Sequence, residues 1–600
     1  MAEQIFGRGS EPRVPAPENG VNVNRCSRPT CINFDIPATN NRADPCYTIV
    51  GNKKRGSSIK CKQCSSHYTV KSNKAIAEEL ERAKFKQQLA KVYSQDGYGC
   101  SNLSCENFGI YAEIPSKHYS GAGKTSKGNQ RYKCKRCGKS FTRGSEKRKS
   151  HPQARTHDNG ELFRQLVNQT GINRSMEVTG LSPNAIYKKI DMFYERCIYF
   201  LATREERLKH MELPWMRLAS DRQEYQVNWL KRKDKRNVML SAIGTADKVS
   251  RYVFGMDVNF DSSIDVEAIT ETEAYKADGA LKDYNRTFAR IWTRRDYTQA
   301  VDATDVFNKK VAKALKILPN DVSLPLSEAA IANIRQEVAV EYGIEVDEQT
   351  RYTSILMNKG AQVRSEYTMY SHFIKLESLI GHAPALRFYL DQDPGINRAC
   401  CLAFSSQISE GRCHAAFVRI NKELTVDERR QMVNYLKKLI NKMLKDGTAI
   451  DEAHARQLIV QTAIQRTYEY PGSPEQWYSV PIHRINEAEK YVALLTDAKR
   501  LTQDDIIALL MDASLQPIDS FFEIVRRRVS MLERPVHSPS NAGRIWTGNS
   551  PYNPAMVHKL LQILRTYYNY CVPGKKDKLT PAERIGLAKG KVEIRRILYP

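Results

Sequence analysis

The sequence has no run of about eighteen consecutive apolar residues, so no segment is expected to cross a membrane as a helix. Residues 1–20, MAEQIFGRGSEPRVPAPENG, hold no apolar stretch of the kind that directs secretion. They read as part of a disordered leader over 1–24. Acidic side chains are in short supply: 67 Asp and Glu face 93 Lys and Arg, for a formal charge of +26. That excess points to a polyanionic partner and carries no information about the fold. Beyond residue 140 cysteine is sparse. Cys197, Cys400, Cys401, Cys413 and Cys571 are scattered, as in a reducing cytosol. A chain of 600 residues is expected to form about three or four domains.

The other cysteines follow a pattern, and it occurs twice. CSRPTCINF (26–34) precedes KCKQCSSHYT (60–69), and CSNLSCENF (100–108) precedes KCKRCGKSFT (133–142). Each copy is C-x4-C, a gap, then C-x2-C, and Asn33-Phe34 matches Asn107-Phe108. Two close thiolate pairs suit a tetrahedral soft-ligand ion, and a structural site needs no redox change, so zinc is expected. The ligands are Cys26, Cys31, Cys61 and Cys64 in a first ribbon (25–70), and Cys100, Cys105, Cys134 and Cys137 in a second (98–145). A disulfide framework is the alternative. Cys46 lacks a counterpart and reads as incidental.

Residues 71–97 read as a linker helix. From 131 to 155 there are ten Lys or Arg and one acid, Glu146, so Lys133, Lys135 and Arg136 are candidate phosphate contacts. Residues 158–200 follow a helix-turn-helix rhythm. Helices over 161–168 and 174–178 lead through Thr179-Gly180-Leu181 to a third helix, capped by Ser182 with Pro183 in its first turn. Ile186, Ile190 and Phe193 recur at helical spacing and face inward. Asn184, Tyr187, Lys188 and Lys189 form the face expected to enter a major groove of double-stranded DNA.

After Pro214 the pattern changes to strands over 216–229, 237–246 and 251–258. A charged, mostly helical stretch (262–380), a strand at 386–390 and another within 400–420 follow. A three-strand meander, a later strand ending in Asp and a late acidic helix make up the order of a ribonuclease-H-like fold, here spanning 214–535. In that fold, carboxylates converge on two hard divalent cations about 4 Å apart that act at a phosphodiester. Asp221, in mid-strand, and Asp391, after LRFYL, are the first candidates, with Asp393 as an alternative to Asp391. For the third, 514–535 carries an apolar stripe, with Asp519 and Glu523 one turn apart on another face and Arg526, Arg527 and Arg528 beyond them, suited to phosphates. The fold class is thus multidomain α+β: zinc ribbons, helix-turn-helix, a ribonuclease-H-like catalytic domain with helical insertions and a helical segment over 536–600.

RYKCKRCGKSFT (131–142) and LLQILRTYYNYCVPGKKDKLTPAERIGLAKG (560–590) resemble segments of DDE transposases of bacterial insertion sequences that carry an N-terminal zinc ribbon and helix-turn-helix. Matching segments are spread over most of 100–590, with a gap in 262–380. The resemblance implies that Asp221 and Asp391 are catalytic acids. The family's third acid is a Glu with Lys or Arg seven residues later, commonly with Asn or Gln three before. Asp519 has Gln516 and Arg526 at those places; Glu523 has the expected chemistry but Ser530 seven residues on. The separation of Asp391 from the third acid implies a further insertion over about 405–500. Also implied are Mg²⁺ or Mn²⁺ as catalytic metal, terminal inverted repeats and target DNA as partners, a homo-oligomer on DNA and a place on the cytoplasmic nucleoid. A non-catalytic DNA-binding regulator derived from such an enzyme, or a structure-specific DNA nuclease, would share these motifs; strand-transfer products separate them.

Overall fold

A computed structural model of the chain describes residues 11–599 outside 53–55, 95–99, 101–104, 106, 108–111, 113, 127, 143–154, 229–236, 298–359, 470–474, 499–500, 534–535, 538–544, 547–550 and 552. Much of the expected basic run and of the 262–380 stretch lies outside the described residues. The fold is mixed α+β with one large mixed sheet. The chain divides into two compact units: Met1–Leu80, Leu213–Glu523 and Arg534–Ala555 form the first; Glu81–Glu212, Ile524–Glu533 and Met556–Pro600 form the second.

Helices are numbered along the chain: α1 Asn73–Ser94, α2 Asn159–Leu166, α3 Ile172–Thr179, α4 Pro183–Glu205, α5 Ser365–Ile380, α6 Pro394–Ala403, α7 Val426–Lys445, α8 Glu452–Ala463, α9 Gln503–Asp512, α10 Gln516–Arg528 and α11 Ala555–Cys571. The strands of the large sheet are β1 Met216–Asn228, β2 Asn237–Asp247, β3 Val253–Val258, β4 Leu386–Leu390, β5 Cys413–Ile420, β6 Thr467–Tyr468, β7 Trp477–Ser479 and β8 Lys490–Leu494.

In the first unit the strand order is β6-β7-β8-β5-β4-β1-β2-β3. The meander β1–β2–β3 is antiparallel throughout, whereas β4 and β5 run parallel to β1. Parallel neighbours cannot be joined by a tight turn, so the connections into β4 and β5 pass through helices, α5 and α6 among them. The strands over 216–229, 237–246, 251–258 and 386–390 fall within a few residues of the sequence reading. The 405–500 stretch holds the helices α7 and α8 and, beside them, strands that join the large sheet. Its first strand, β5, is a central strand, and β8, β7 and β6 extend the sheet beyond it, all antiparallel. Val418, Val460, Val492 and Leu510 share one core cluster, so these residues belong to the sheet's own core. A leader that is disordered to residue 24 is not what the structure holds. Val14, Val21 and Val23 are buried, Arg13 N donates to Asn40 Oδ1, and Glu11 accepts from Lys282 N. Burying three valines contributes roughly 1.5–3 kcal/mol each, enough to order a short segment.

The second unit contains the second ribbon, α2–α4 and α11. Ser182 Oγ accepts from Ala185 N, Pro183 opens α4, and Gly180 ends α3 at φ 63°. These are the signals read from the sequence, but α4 runs past the expected 158–200 bounds of the helix-turn-helix, to Glu205. Its last turns bury Phe200 edge-on against Tyr570 of α11, with Glu205 paired to Arg565 at 2.8 Å. The 560–590 tail is therefore part of the helical core around the third helix. Thr580 caps the short helix Pro581–Arg584 in a reciprocal pair with Glu583.

Candidate metal centres and acidic site

The two ribbons use the same local parts. In each, the four Sγ atoms lie within 4.8 Å of one another. Cys26–Cys64 and Cys31–Cys61 are 3.8 and 3.7 Å apart, and Cys100–Cys137 and Cys105–Cys134 are 3.3 and 3.7 Å apart. Zn–S bonds of about 2.3 Å at tetrahedral angles put the sulfurs about 3.8 Å apart, so both clusters fit and each could hold a zinc ion. None of the 14 cysteines forms a disulfide, so the alternative of a disulfide framework is not what the structure holds.

Outside the sulfurs the correspondence continues. Asn33 Nδ2 donates to Cys61 Sγ and Cys46 O, and Asn107 Nδ2 donates to Cys134 Sγ and His118 O. Tyr47 OH accepts from Cys26 N as Tyr119 OH accepts from Cys100 N. Cys46 thus has a counterpart, His118, and the shared feature is its carbonyl. Ser65 and Gly138 both turn the C-x2-C knuckle at positive φ. Burial pushes the Cys64 and Cys134 thiols up. Donors outweigh it: Ser66 brings Cys64 down to about 7, and the Cys137 backbone and Asn107 bring Cys134 down to about 6. Such thiolates are ready ligands.

The acidic site is built on β1. Alternation along the strand puts Leu218 and Ser220 on one face and Ala219 and Asp221 on the other. Leu390 of β4 pairs with Ser220, and Asp391 N donates to Ser220 O, so the next step of the parallel register sets Asp391 beside Asp221. On the other side Asp221 pairs with Gly244 of β2. A Cβ at Gly244 would lie 2.8 Å from Ile518 Cδ1 and 3.4 Å from Phe522 Cε1. The missing side chain lets α10 pack directly on the sheet, and Asp519 follows Ile518 on that helix.

The start of α10 is fixed by charge. Glu487 Oε1 accepts from Ser514 Oγ, Leu515 N and Gln516 N at 2.8, 3.0 and 3.2 Å, a carboxylate at a helix N-terminus. Asp512, just before it, takes ion pairs from Arg217, Lys248 and Arg387. Gln516 accepts from Arg251.

Burial first, then the negative charges of Asp391 and Asp519, hold the Asp221 carboxyl well above the ordinary carboxylate range, against the Arg222 N–H and the Lys422 ammonium. The acids that act most strongly on Asp221 are Asp391 and Asp519. Glu523 stands one turn further along α10. Asp393 is otherwise engaged: its Oδ1 caps α6 at Gly395 N and Ile396 N, and its Oδ2 pairs with Arg222 at 3.3 Å.

The opposite face of β1 is locked. Ser220, Thr245, His372 and Asp257 form a hydrogen-bonded chain at 2.7–2.8 Å, closed by Lys375 on Asp257. Burial raises and Lys375 and His372 lower the Asp257 carboxyl, leaving it well below the usual range.

The expected DNA contacts divide. Asn184, Tyr187 and Lys188 are exposed on α4, and Lys133, Lys135 and Arg136 are exposed on the second ribbon. Lys189 is 4% exposed and donates to Asn159 Oδ1 and Arg155 O, so it belongs to the core of the helical unit, not to the groove-facing set. Arg527 is exposed and Arg526 half-buried, while Arg528 donates to Asn168 Oδ1 and Val167 O at the end of α2. Arg528 is thereby occupied in packing. Sequence reasoning missed Gly244, Glu487 and Lys422. A glycine inside a strand pattern was the one available signal, since it marks close backbone approach.

Among the described residues, no helix is long and apolar enough to cross a membrane. Compared with known proteins, the chain matches no family model, no curated protein and no solved structure.

Proposed function

We propose that this chain is a DDE-type DNA transposase with a ribonuclease-H-like catalytic core, an end-binding helix-turn-helix and two structural zinc ribbons. The observation that carries the proposal is the convergence of Asp221, Asp391 and Asp519, from two adjacent parallel strands and a helix laid on Gly244 of the next strand, β2. The strand order β3-β2-β1-β4-β5 supports the fold, and the exposed basic residues on α4 and the second ribbon support DNA as the partner.

Two carboxylates that raise the charging cost of a third suit hard divalent cations, and Mg²⁺ or Mn²⁺ held by Asp221, Asp391 and Asp519 would supply Lewis-acid stabilisation at a phosphodiester. The protein's own part is to hold those oxygens still. β1 is locked from its far face by the Ser220–Thr245–His372–Asp257 chain, and α10 is fixed at its N-terminus by Glu487. Lys422 adds positive charge near Asp221, where a DNA phosphate would approach. Such preorganisation stabilises charge that develops at the scissile phosphate.

The test is incubation of the full chain with Mg²⁺ and duplexes ending in the inverted repeat that flanks its gene. Cleavage at the repeat end and joining of the freed 3′ end to a second duplex are expected, and both should vanish in Asp221→Ala. Binding without cleavage would favour a regulator, and cleavage without joining a nuclease.

A further inference from the structure

The two ribbons share their metal clusters, yet only the first is built into the unit that carries the acids. Tyr284, from the region between β3 and α5, lies in the first ribbon's own core with Val14, Tyr47, Ile59 and Val70, and its hydroxyl donates to Arg13 O. Arg398 of α6 donates to Thr69 O and Val23 O at 3.1 and 3.3 Å, and its guanidinium lies 4.9 Å over the Tyr68 ring. Arg25 returns a bond to Leu402 O at the other end of α6. Lys71, nearly buried, pairs with Glu366 of α5 at 2.7 Å, and Glu79 pairs with Arg290.

The side chain that links metal cluster to helix is Tyr68. Its hydroxyl is 3.3 Å from Cys26 Sγ, and its ring supports Arg398. In the second ribbon Phe141 stands at this place in the repeat, without a hydroxyl, and packs on that ribbon's own Tyr119 and Tyr132. α6 begins at the Asp393 cap, two residues after Asp391. A continuous set of contacts therefore runs from the first cluster through Tyr68 and Arg398 along α6 to the turn that presents Asp391.

We infer that the first ribbon is an internal brace of the catalytic unit, which holds α6 and the Asp391 turn in place, and that the second ribbon alone meets DNA. The division between brace and DNA contact rests on the transposase reading; the brace itself does not. A duplicated module that has exchanged its free surface for intramolecular contacts has lost the face with which it could grip a duplex.

The experiment compares full-length Cys61→Ser, Arg398→Ala and Cys134→Ser by zinc content, by hydrogen exchange over 391–403 and by affinity for a labelled random-sequence duplex. Arg398→Ala leaves all eight cysteines in place, so it reports on the brace even if Cys61→Ser unfolds its ribbon. Cys61→Ser and Arg398→Ala should both speed exchange in α6 by at least about tenfold and leave duplex affinity unchanged. Cys134→Ser should weaken duplex binding and leave α6 protected. Unchanged α6 exchange in Arg398→Ala, or duplex affinity lost equally in Cys61→Ser and Cys134→Ser, would overturn the inference. Lack of DNA affinity in the unmodified chain would instead remove the transposase reading, with the α6 response still standing as evidence for the brace.

Discussion

Asp221 and Gly244 are cross-strand partners on one face of the large sheet, and the second makes the first useful. With hydrogen in place of a side chain, Gly244 admits Ile518 and Phe522 of α10, and Asp519 arrives beside Asp221. Gly244→Ala would put a methyl 2.6 Å from Met256 Sδ and 2.8 Å from Ile518 Cδ1. Overpacking of that kind typically costs about 1–3 kcal/mol. The expected outcome is a folded protein with a lower melting temperature and cleavage reduced far more than DNA affinity, because a small displacement of α10 misplaces an acid. Parallel melting, binding and cleavage assays check it; a variant that cleaves normally would show that α10 does not need this close approach.

Asp519→Ala and Glu523→Ala should separate. The true third acid should fall to the level of Asp221→Ala and Asp391→Ala, a loss of roughly 10²-fold or more as for other groups that act mainly in the transition state. Asp519 is expected to behave so and Glu523 to retain most activity, since Asp519 is the α10 acid whose charge acts on Asp221. Single-turnover cleavage with saturating DNA reads the difference directly. The reverse order of severity would transfer the role to Glu523.

Asp221 also makes a stability prediction. Its carboxyl is raised above the ordinary 3.8 by burial and by Asp391 and Asp519. An acid raised in the folded state keeps its proton where the unfolded chain has lost it, so the stability it contributes declines as pH climbs from that ordinary value through the raised one. In magnesium-free buffer near neutral pH, Asp221→Asn should therefore stabilise the chain, by about 0.5–2 kcal/mol as is common when a strained functional group is removed. The gain should shrink as pH falls toward 4. A destabilised Asp221→Asn would mean that burial and the charges of Asp391 and Asp519 do not burden the Asp221 carboxylate.

The legible parts of this chain were those written in short-range chemistry. The cysteine spacing located both clusters, Ser182-Pro183 placed the start of α4, and the apolar run LRFYL placed Asp391 directly after β4. What could not be read depends on long-range pairing. Nothing near 490 in the sequence says that β8 pairs with β5, and so the strands over 467–494 were not read. Nothing near Lys189 says that Asn159 awaits its ammonium, since a lysine on a helix is ordinarily solvated. Val14, Val21 and Val23 are too far apart to form a pattern, and the burial of Val14 depends on first-ribbon residues as distant as Ile59 and Val70.

Both clusters should be loaded in the purified protein, at close to two zinc ions per chain, because each set of sulfurs is already at zinc spacing. Metal binding of this kind is folding free energy, and Cys134→Ser should release one ion and locally unfold the second ribbon. Elemental analysis with proteolysis around 119–142 checks both halves. A value near one or zero would remove the duplication as an explanation of the sequence repeat.

The last prediction separates two adjacent lysines on α4. Lys188 is exposed, so Lys188→Ala should weaken duplex binding, flatten its salt dependence by about one counterion, and leave the melting temperature unchanged. Lys189 is buried, with its ammonium on Asn159 Oδ1 and Arg155 O, and Asn159 Nδ2 in turn donates to Tyr599 OH. Removing it leaves those acceptors unsatisfied, a cost of about 1–3 kcal/mol. Lys189→Ala should therefore lower the melting temperature of the helical unit, and any loss of DNA affinity should follow from that instability, with a salt slope like that of the unmodified chain. Lys189→Met, which keeps the stem but not the charge, should recover packing without recovering the hydrogen bonds and so fall between the two. A reduced salt slope in Lys189→Ala with an unchanged melting temperature would place Lys189 on the DNA after all.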